Sequence, residues 1–254
     1  MGRIVTIRGV DIGKGLPKIC VPMVGRTIEE LIEEVNSLKN IDFDIVEWRV
    51  DFLKEVGNID KVKESLKSIR KIIGNKPMIF TFRSAREGGE AEAEREFYVK
   101  LNKTIVETGL VDIIDVELFN HENDIRELVD AAHKKGAAVI ISNHDFKGTP
   151  EREEIISRLR KARELGGDIP KIAVMPNSVE DVLTLLDATR IMKEKYADCP
   201  IITMSMAGKG VVSRFAGELF GSDLTFGAVK KASAPGQISV TDLRKIIELL
   251  HDNL

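Results

Sequence analysis

VDIIDVELFNHENDIRELVDAAHKKGAAVIISNHDF, residues 111–146, decides the fold. It opens on a short β-branched run, Val111–Val116. A polar stretch follows in which Ile125, Leu128 and Val129 recur at helical spacing. It closes on a second apolar run, Ala137–Ile141, that leads into Ser142-Asn143-His144-Asp145-Phe146. A buried run, an amphipathic helix and another buried run form the unit that joins parallel strands, because a parallel pair needs a crossover and the crossover is usually a helix.

The same alternation extends in both directions. Upstream lie Ile19–Val24, Phe43–Trp48 and Met78–Phe82; downstream lie Ile172–Met175, Ile201–Met204 and Leu224–Val229. That makes eight candidate strands, mostly apolar throughout, as a sheet covered on both faces requires. Helical patterns fill gaps between them. Thr27 with Glu30 reads as a capping box, and Ser178 with Asp181 opens another helix. Val62, Leu66, Ile69 and Ile73 form one apolar stripe, Ile155, Ile156, Leu159 and Ala162 a second, and Ile246, Ile247 and Leu250 a third. The pattern predicts an α/β protein, an eight-stranded parallel β/α (TIM) barrel forming one domain over residues 1–254. A doubly wound open sheet is the rival, but no G-x-G-x-x-G follows any strand. Arg3 to Pro17, with Gly9, Gly13 and Gly15 between β-like runs, is expected to form a hairpin that closes the bottom of the barrel.

Composition narrows the function. The 254 residues are 43% hydrophobic and 31% charged, with 8 Pro and 20 Gly, which excludes a low-complexity or disordered chain. The 38 basic and 41 acidic residues leave a net charge of −3, so no overall basic field recruits nucleic acid or an anionic membrane. No stretch approaches the roughly 20 apolar residues of a membrane span. The N-terminal residues from Met1 lack the apolar core of a signal peptide. Cys20 and Cys199 lack metal-binding or redox spacing and read as buried thiols in a reducing compartment. These features predict a soluble, cytoplasmic protein.

In a barrel of this kind chemistry sits at the C-terminal strand ends. The second run ends in Glu47-Trp48-Arg49-Val50-Asp51, where alternation puts Glu47, Arg49 and Asp51 on one face. They read either as an ion pair closing the barrel or as groups at its mouth. The third ends in Thr81-Phe82-Arg83-Ser84, followed by Glu87-Gly88-Gly89-Glu90. The fourth carries Asp112, Asp115 and Glu117, unusual in a buried strand and read as anchors for basic groups. Among four histidines, only His144 falls where a strand meets its loop; it is a structural residue or a functional one, and no second histidine stands at metal-ligand spacing. Lys171 precedes Ile172 and reads as a solvated strand end or as an amine inside the barrel, the latter only if the strand starts nearer Gly167 or Asp168. Ser205–Arg214 holds a Gly-Lys that is not a P-loop, because Gly follows it.

Together these segments resemble the type I 3-dehydroquinate dehydratases, the Schiff-base dehydratases of the shikimate pathway. The motifs in order are Glu47–Asp51, Phe80–Ser84 with Glu87–Glu90, Ser142–Phe146, Pro170–Pro176, Met204–Met206 leading to Ser213-Arg214, and Ala232–Gln237. The resemblance implies a barrel enzyme, a carbon–oxygen lyase that needs no cofactor and no metal, usually a homodimer, in aromatic amino acid biosynthesis. It assigns Lys171 to the imine, His144 to proton transfer and Glu87 to tuning that histidine. Glu47, Arg49, Arg83, Arg214, Ser233 and Gln237 are implied to hold the substrate, 3-dehydroquinate. One departure is Pro22, which stands where some members carry a serine.

The residue types suit this chemistry. A protonated imine is a better electron sink than a ketone, so it eases removal of the neighbouring proton. A free lysine amine is neutral in only about 1 molecule in 2,500 at pH 7, so imine formation calls for desolvation and nearby cations. Imidazole titrates near neutrality and suits a base that later acts as an acid. Arginine recognises a carboxylate with two parallel hydrogen bonds. The loop from residue 230 to 238, rich in small residues, is expected to close over the ligand. Another Schiff-base barrel of the class I aldolase type, or a barrel that only binds a small carboxylate, are the alternatives.

Overall fold

A computed structural model describes residues 2–229 and 233–254. Eight parallel strands follow one another around a barrel: β3 (Lys18–Met23), β4 (Ile45–Arg49), β5 (Met78–Thr81), β6 (Ile113–Glu117), β7 (Ala138–Asp145), β8 (Ile169–Val174), β9 (Ile202–Ser205) and β10 (Leu224–Phe226). β10 pairs back onto β3. The ring is nearly closed. At the seam between β9 and β10, the Asp223 N–H donates to the Ile201 carbonyl at 2.8 Å. The Thr203 N–H turns instead to Ser222 Oγ at 3.0 Å, so a side chain stands in for a ladder bond there.

Alternation along each strand sorts two cores. Val46, Trp48, Phe80, Phe82, Ile114, Val116, Val139 and Ile141 face outward, beneath the helices. Ile45, Ile79, Ile113, Ile140, Ile169, Ile202 and Leu224 fill the lower half of the barrel. The predicted hairpin is present as β1 (Val5–Ile7) and β2 (Val10–Ile12), paired antiparallel. Its Val5 and Ile12 join that interior cluster at the N-terminal strand ends, so the hairpin closes the bottom. Arg8, at the turn, pairs with Asp112 at 2.6 Å.

The surrounding helices are α1 (Ile28–Ser37), α2 (Ile59–Ile73), α3 (Arg95–Glu107), α4 (Glu122–Lys134), α5 (Arg152–Glu164), α6 (Val179–Lys195), the short α7 (Val212–Phe215) and α8 (Gly217–Phe220), and α9 (Val240–His251). Ser178 and Asp181 form the full capping box of α6. At α1 the Thr27 side chain caps the Glu30 N–H, but the Glu30 carboxylate takes the Arg26 N–H rather than that of Thr27, so the box is only half made. The sequence reading passed over α3, although its buried Tyr98, Leu101 and Ile105 have helical spacing. It also passed over α7 and α8, which are too short to show a period.

Three strand boundaries bear on the site. β8 starts at Ile169, three residues before the apolar run predicted, so Lys171 is its third residue rather than a solvated end. Ile169 and Ala173 belong to the interior cluster, and alternation puts Lys171 on the same inner face. β4 stops at Arg49, and Val50–Phe52 forms a turn of 3₁₀ helix, so Asp51 does not continue the strand alternation expected of it. β10 ends at Phe226, earlier than predicted, as the chain leaves to pair Ala228 with Ser239. No helix among the described residues is long and apolar enough to cross a membrane. Cys20 and Cys199 are buried free thiols.

Candidate active site

Above the lower, apolar half of the barrel, the inward positions turn polar. Glu47, Thr81, Asp115, Ser142 and Lys171 occupy this level, all buried. The register places Thr81 opposite Asp115 and Ser142 opposite Lys171. One cavity is lined by Lys171, His144, Glu87, Glu47, Arg49 and Arg83, with Ser233 and Gln237 across from them. Eight of the nine side chains singled out from sequence therefore converge on one space. Arg214 reaches the same region through Met204 and Phe226, both of which line the cavity.

The amine of Lys171 is the centre of this arrangement. Its Nζ lies 3.3 Å from Asp115 Oδ2 and 3.8 Å from Glu47 Oε1, and 4.6 Å from the centre of the Phe226 ring. Thr81 Oγ1 donates to Glu47 Oε1 at 2.9 Å and fixes that carboxylate.

Arg83 organises the opposite wall. Its Nη2 donates to Asp115 Oδ1 at 2.7 Å, and its Nη1 to Glu117 Oε1 at 3.1 Å and to Ser142 Oγ at 3.0 Å. Burial alone would lower its proton affinity, but Asp115, Glu117, Glu87 and Glu47 outweigh that and raise it well above the ordinary value. Asp115 mirrors this. Burial pushes its pKa up, and Arg83, Lys171 and the Ser142 hydroxyl bring it below normal. The acidic strand residues thus anchor basic groups, as their pattern suggested: Asp112 pairs with Arg8 and Arg70, and Glu117 with Arg83. Arg49 is held by two bonds of 2.8 Å to Asp51, which the early turn brings back onto it.

His144 and Glu87 form a pair. The His144 backbone N–H donates to Glu87 Oε2 at 2.9 Å, and His144 Nδ1 lies 3.0 Å from the same oxygen. The ring's Nδ1 is thereby engaged, which leaves Nε2 for the cavity. Burial raises the Glu87 pKa to about 8; Arg83 opposes the rise, and Glu117 and Asp115 add to it. Burial, then the cations Arg83, Lys171 and Arg49, push His144 well below its ordinary value, so its imidazole is neutral and able to accept a proton. The Gly88-Gly89 pair makes this loop possible. Gly88 has φ +81°, and a Cβ there would strike the Phe146 ring; at Gly89 a Cβ would collide with the Arg83 carbonyl oxygen.

Arg214 differs from the other arginines of the site. It is 1% exposed, and among the described residues no carboxylate pairs with it. Its Nη2 donates to the Pro235 carbonyl at 2.9 Å and its Nη1 to the Phe226 carbonyl at 3.5 Å, while Nε has no partner. Burial lowers its pKa to about 10. Ser233 and Gln237 bond each other: the Ser233 N–H donates to Gln237 Oε1 at 2.9 Å, and Gln237 Nε2 donates to Ser233 Oγ at 3.1 Å. The part of the expected lid at 230–232 lies outside the described residues. Pro22 faces the barrel interior, by alternation with Cys20. No group of three or more His, Cys, Asp or Glu among the described residues is placed to hold a metal ion.

The sequence reading gave no role to Met204, Met206 and Phe146, which it held only as parts of motifs, nor to Phe226; the four form the apolar part of the cavity wall. Their only signal was their place at strand ends. It named Asp115 as an anchor but not as a neighbour of Lys171.

A β/α barrel with a buried amine, a histidine–carboxylate pair and an uncompensated guanidinium around one cavity is the site of an enzyme working on a small anionic carbon compound. The comparisons with known proteins narrow this. Residues 19–254 match the family described as type I 3-dehydroquinase. The chain is 57% identical over 254 residues to a 3-dehydroquinate dehydratase of Bacillus licheniformis, covering all of both chains. It is 58% identical over 250 residues to one of Clostridium novyi, covering 98% of this chain and 99% of that one. A type I 3-dehydroquinate dehydratase from Clostridium difficile, solved with covalently modified comenic acid, superposes with a TM-score of 0.98 at 55% identity over the whole of both chains. The chain belongs to the type I 3-dehydroquinase family.

Proposed function

We propose that Lys171, His144 and Glu87 carry the chemistry of this chain. Its activity is that of a 3-dehydroquinate dehydratase, a hydro-lyase of the shikimate pathway that eliminates water from 3-dehydroquinate through a Schiff base to give 3-dehydroshikimate. The observation that carries the assignment is the placement of the Lys171 amine, buried on the inner face of β8, in the cavity that His144 lines.

Lys171 Nζ attacks the ketone carbon. The carbonyl oxygen departs as water, leaving a protonated imine. His144 Nε2 removes the proton from the adjacent carbon, and the electron pair moves into the carbon–nitrogen system to form an enamine. The pair then returns, the carbon–oxygen bond of the leaving hydroxyl breaks, and His144 gives up its proton to form water. Hydrolysis of the new imine releases product and restores the amine. Once ionised, Glu87, 3.0 Å from Nδ1, holds the tautomer that keeps Nε2 free and stabilises the imidazolium formed midway. Arg214 takes the substrate carboxylate, since a buried cation without an anion is a ready partner for one. Glu47, Arg49, Arg83, Ser233 and Gln237 address the hydroxyls and the rest of the ring. The imine itself is the electron sink, so this route calls for no cofactor. The chain works as a single unit over residues 1–254, in the cytoplasm and as a homodimer.

Borohydride added with 3-dehydroquinate should attach ligand mass to the peptide carrying Lys171 and end activity. Lys171→Ala should neither trap ligand nor turn over. Trapping on another residue at an undiminished rate would refute the assignment.

A further inference from the structure

We propose that Asp115 is the standing counter-ion of the Lys171 amine and of the iminium formed from it, and thereby sets how fast the imine loses its neighbouring proton. This rests on Lys171 being the imine-forming residue. Asp115 is wholly buried, and its two oxygens have divided duties. Oδ1 is pinned by Arg83 Nη2 at 2.7 Å and by Ser142 Oγ at 2.6 Å. Oδ2 is left facing Lys171 Nζ at 3.3 Å. No rotation frees the carboxylate without breaking both bonds at Oδ1, so Oδ2 stays where the amine is.

Imine formation changes what Nζ carries. The nitrogen bonds to the ketone carbon, the oxygen leaves as water with one proton taken up, and a single N–H remains on a positively charged nitrogen. That N–H needs one acceptor, and Asp115 Oδ2 is the nearer of the two carboxylate oxygens around it. Glu47 stands 3.8 Å away and already accepts from Thr81. The other charged and titratable groups around the pair include Arg83 above β5, Glu87 in the loop after it, Glu117 on β6 itself, His144 on β7, Cys20 on β3, Tyr98 from α3, Arg49 at the end of β4, which Asp51 holds, and Arg214 from α7, which bonds backbone carbonyls. Arg83 is saturated by carboxylates, so the site keeps a negative balance around Nζ. That balance favours the positive charge of the iminium, the form in which the imine withdraws electrons from the neighbouring carbon. By keeping the imine protonated, the carboxylate speeds the loss of the neighbouring proton.

Asp115→Asn tests this. With 3-dehydroquinate and borohydride in rapid-quench mixing, wild type should give the adduct on Lys171. In the variant trapping should still reach the same final amount of adduct, because the attacking amine is untouched. Its kcat should fall by about 10²-fold with KM changed by less than about threefold, and adduct should accumulate during turnover. A structural lesion would reduce trapping and turnover together, with no accumulation of adduct. That result, or unchanged kcat, overturns the proposal. Absence of adduct on wild-type Lys171 overturns instead the reading on which it rests. Should Asp115→Asn be too unstable to assay for activity, its thermal unfolding from low temperature, with that of Lys171→Met and of the double variant, decides. The double variant must recover stability relative to Asp115→Asn alone, and equal instability refutes the pairing.

Discussion

Replacing Arg214 by Met should abolish tight substrate binding while leaving the fold nearly as stable as before. The guanidinium is buried, and its pKa falls from 12.5 to about 10. At 1.36 kcal/mol per tenfold change in proton affinity, that is about 3 kcal/mol of desolvation that no anion among the described residues offsets. Methionine removes this cost. It also deprives the Phe226 carbonyl of a donor and leaves the Pro235 carbonyl only the Ala207 N–H at 3.1 Å. Those losses cost about 1–3 kcal/mol, so the two effects roughly cancel and the melting temperature should move by less than about 6 °C. Binding is not cancelled. Losing one partner of a buried charge pair costs about 2–5 kcal/mol, which predicts a rise in KM of about 10²-fold or more. Arg83→Met is the contrast, because it leaves Glu117 buried without its cation and Asp115 with Lys171 alone. That should cost about 3–5 kcal/mol of stability. Calorimetry and steady-state rates, followed through the ultraviolet absorbance of the conjugated enone, measure both. A drop in melting temperature for Arg214→Met as large as that of Arg83→Met, or an unchanged KM, would refute the reasoning.

His144→Ala should lower turnover by about 10²–10⁴-fold with the fold intact, and trapped imine should build up because its breakdown also needs proton transfer; near-normal turnover would remove His144 from the mechanism. Glu87 has its pKa raised to about 8, so it ionises as pH rises toward that value and then accepts the Nδ1 proton that leaves Nε2 free. The rate at low substrate should therefore climb toward pH 8, and Glu87→Gln should lose that climb and about tenfold or more in kcat. The raised value also means that the folded state binds this proton more tightly than the unfolded chain. Its stabilising contribution is complete below pH 4.5 and lost as pH rises through about 8. Glu87→Gln should thus gain stability relative to wild type across that window, which pH-dependent denaturant melts would show or refute. Amides of residues 233–238 should exchange freely without ligand and become protected in the borohydride adduct, as expected of a loop that closes over the ring; equal exchange in both states would make it a static connection.

Local sequence determined the elements and their order. Short apolar runs alternating with amphipathic helices leave a parallel barrel as the arrangement that buries both faces of eight strands, and strand alternation sorts inward from outward residues. The strand-end motifs carried most of the site because the barrel brings those ends to one mouth, so residues as far apart as Glu47 and Gln237 meet there. Three matters were decided only in three dimensions. The start of β8 at Ile169, which places Lys171 inside, follows from pairing with β7, where Ile140 faces Ile169 and Ser142 faces Lys171. The return of Asp51 onto Arg49 comes from a 3₁₀ turn that alternation does not foresee. The difference between the arginines is also tertiary: Arg83, Arg49 and Arg214 look alike in a sequence, and only packing gives two of them carboxylate partners and leaves the third buried without one among the described residues. Charge pairing is a property of neighbours in space, and a linear pattern shows only which groups are available to pair.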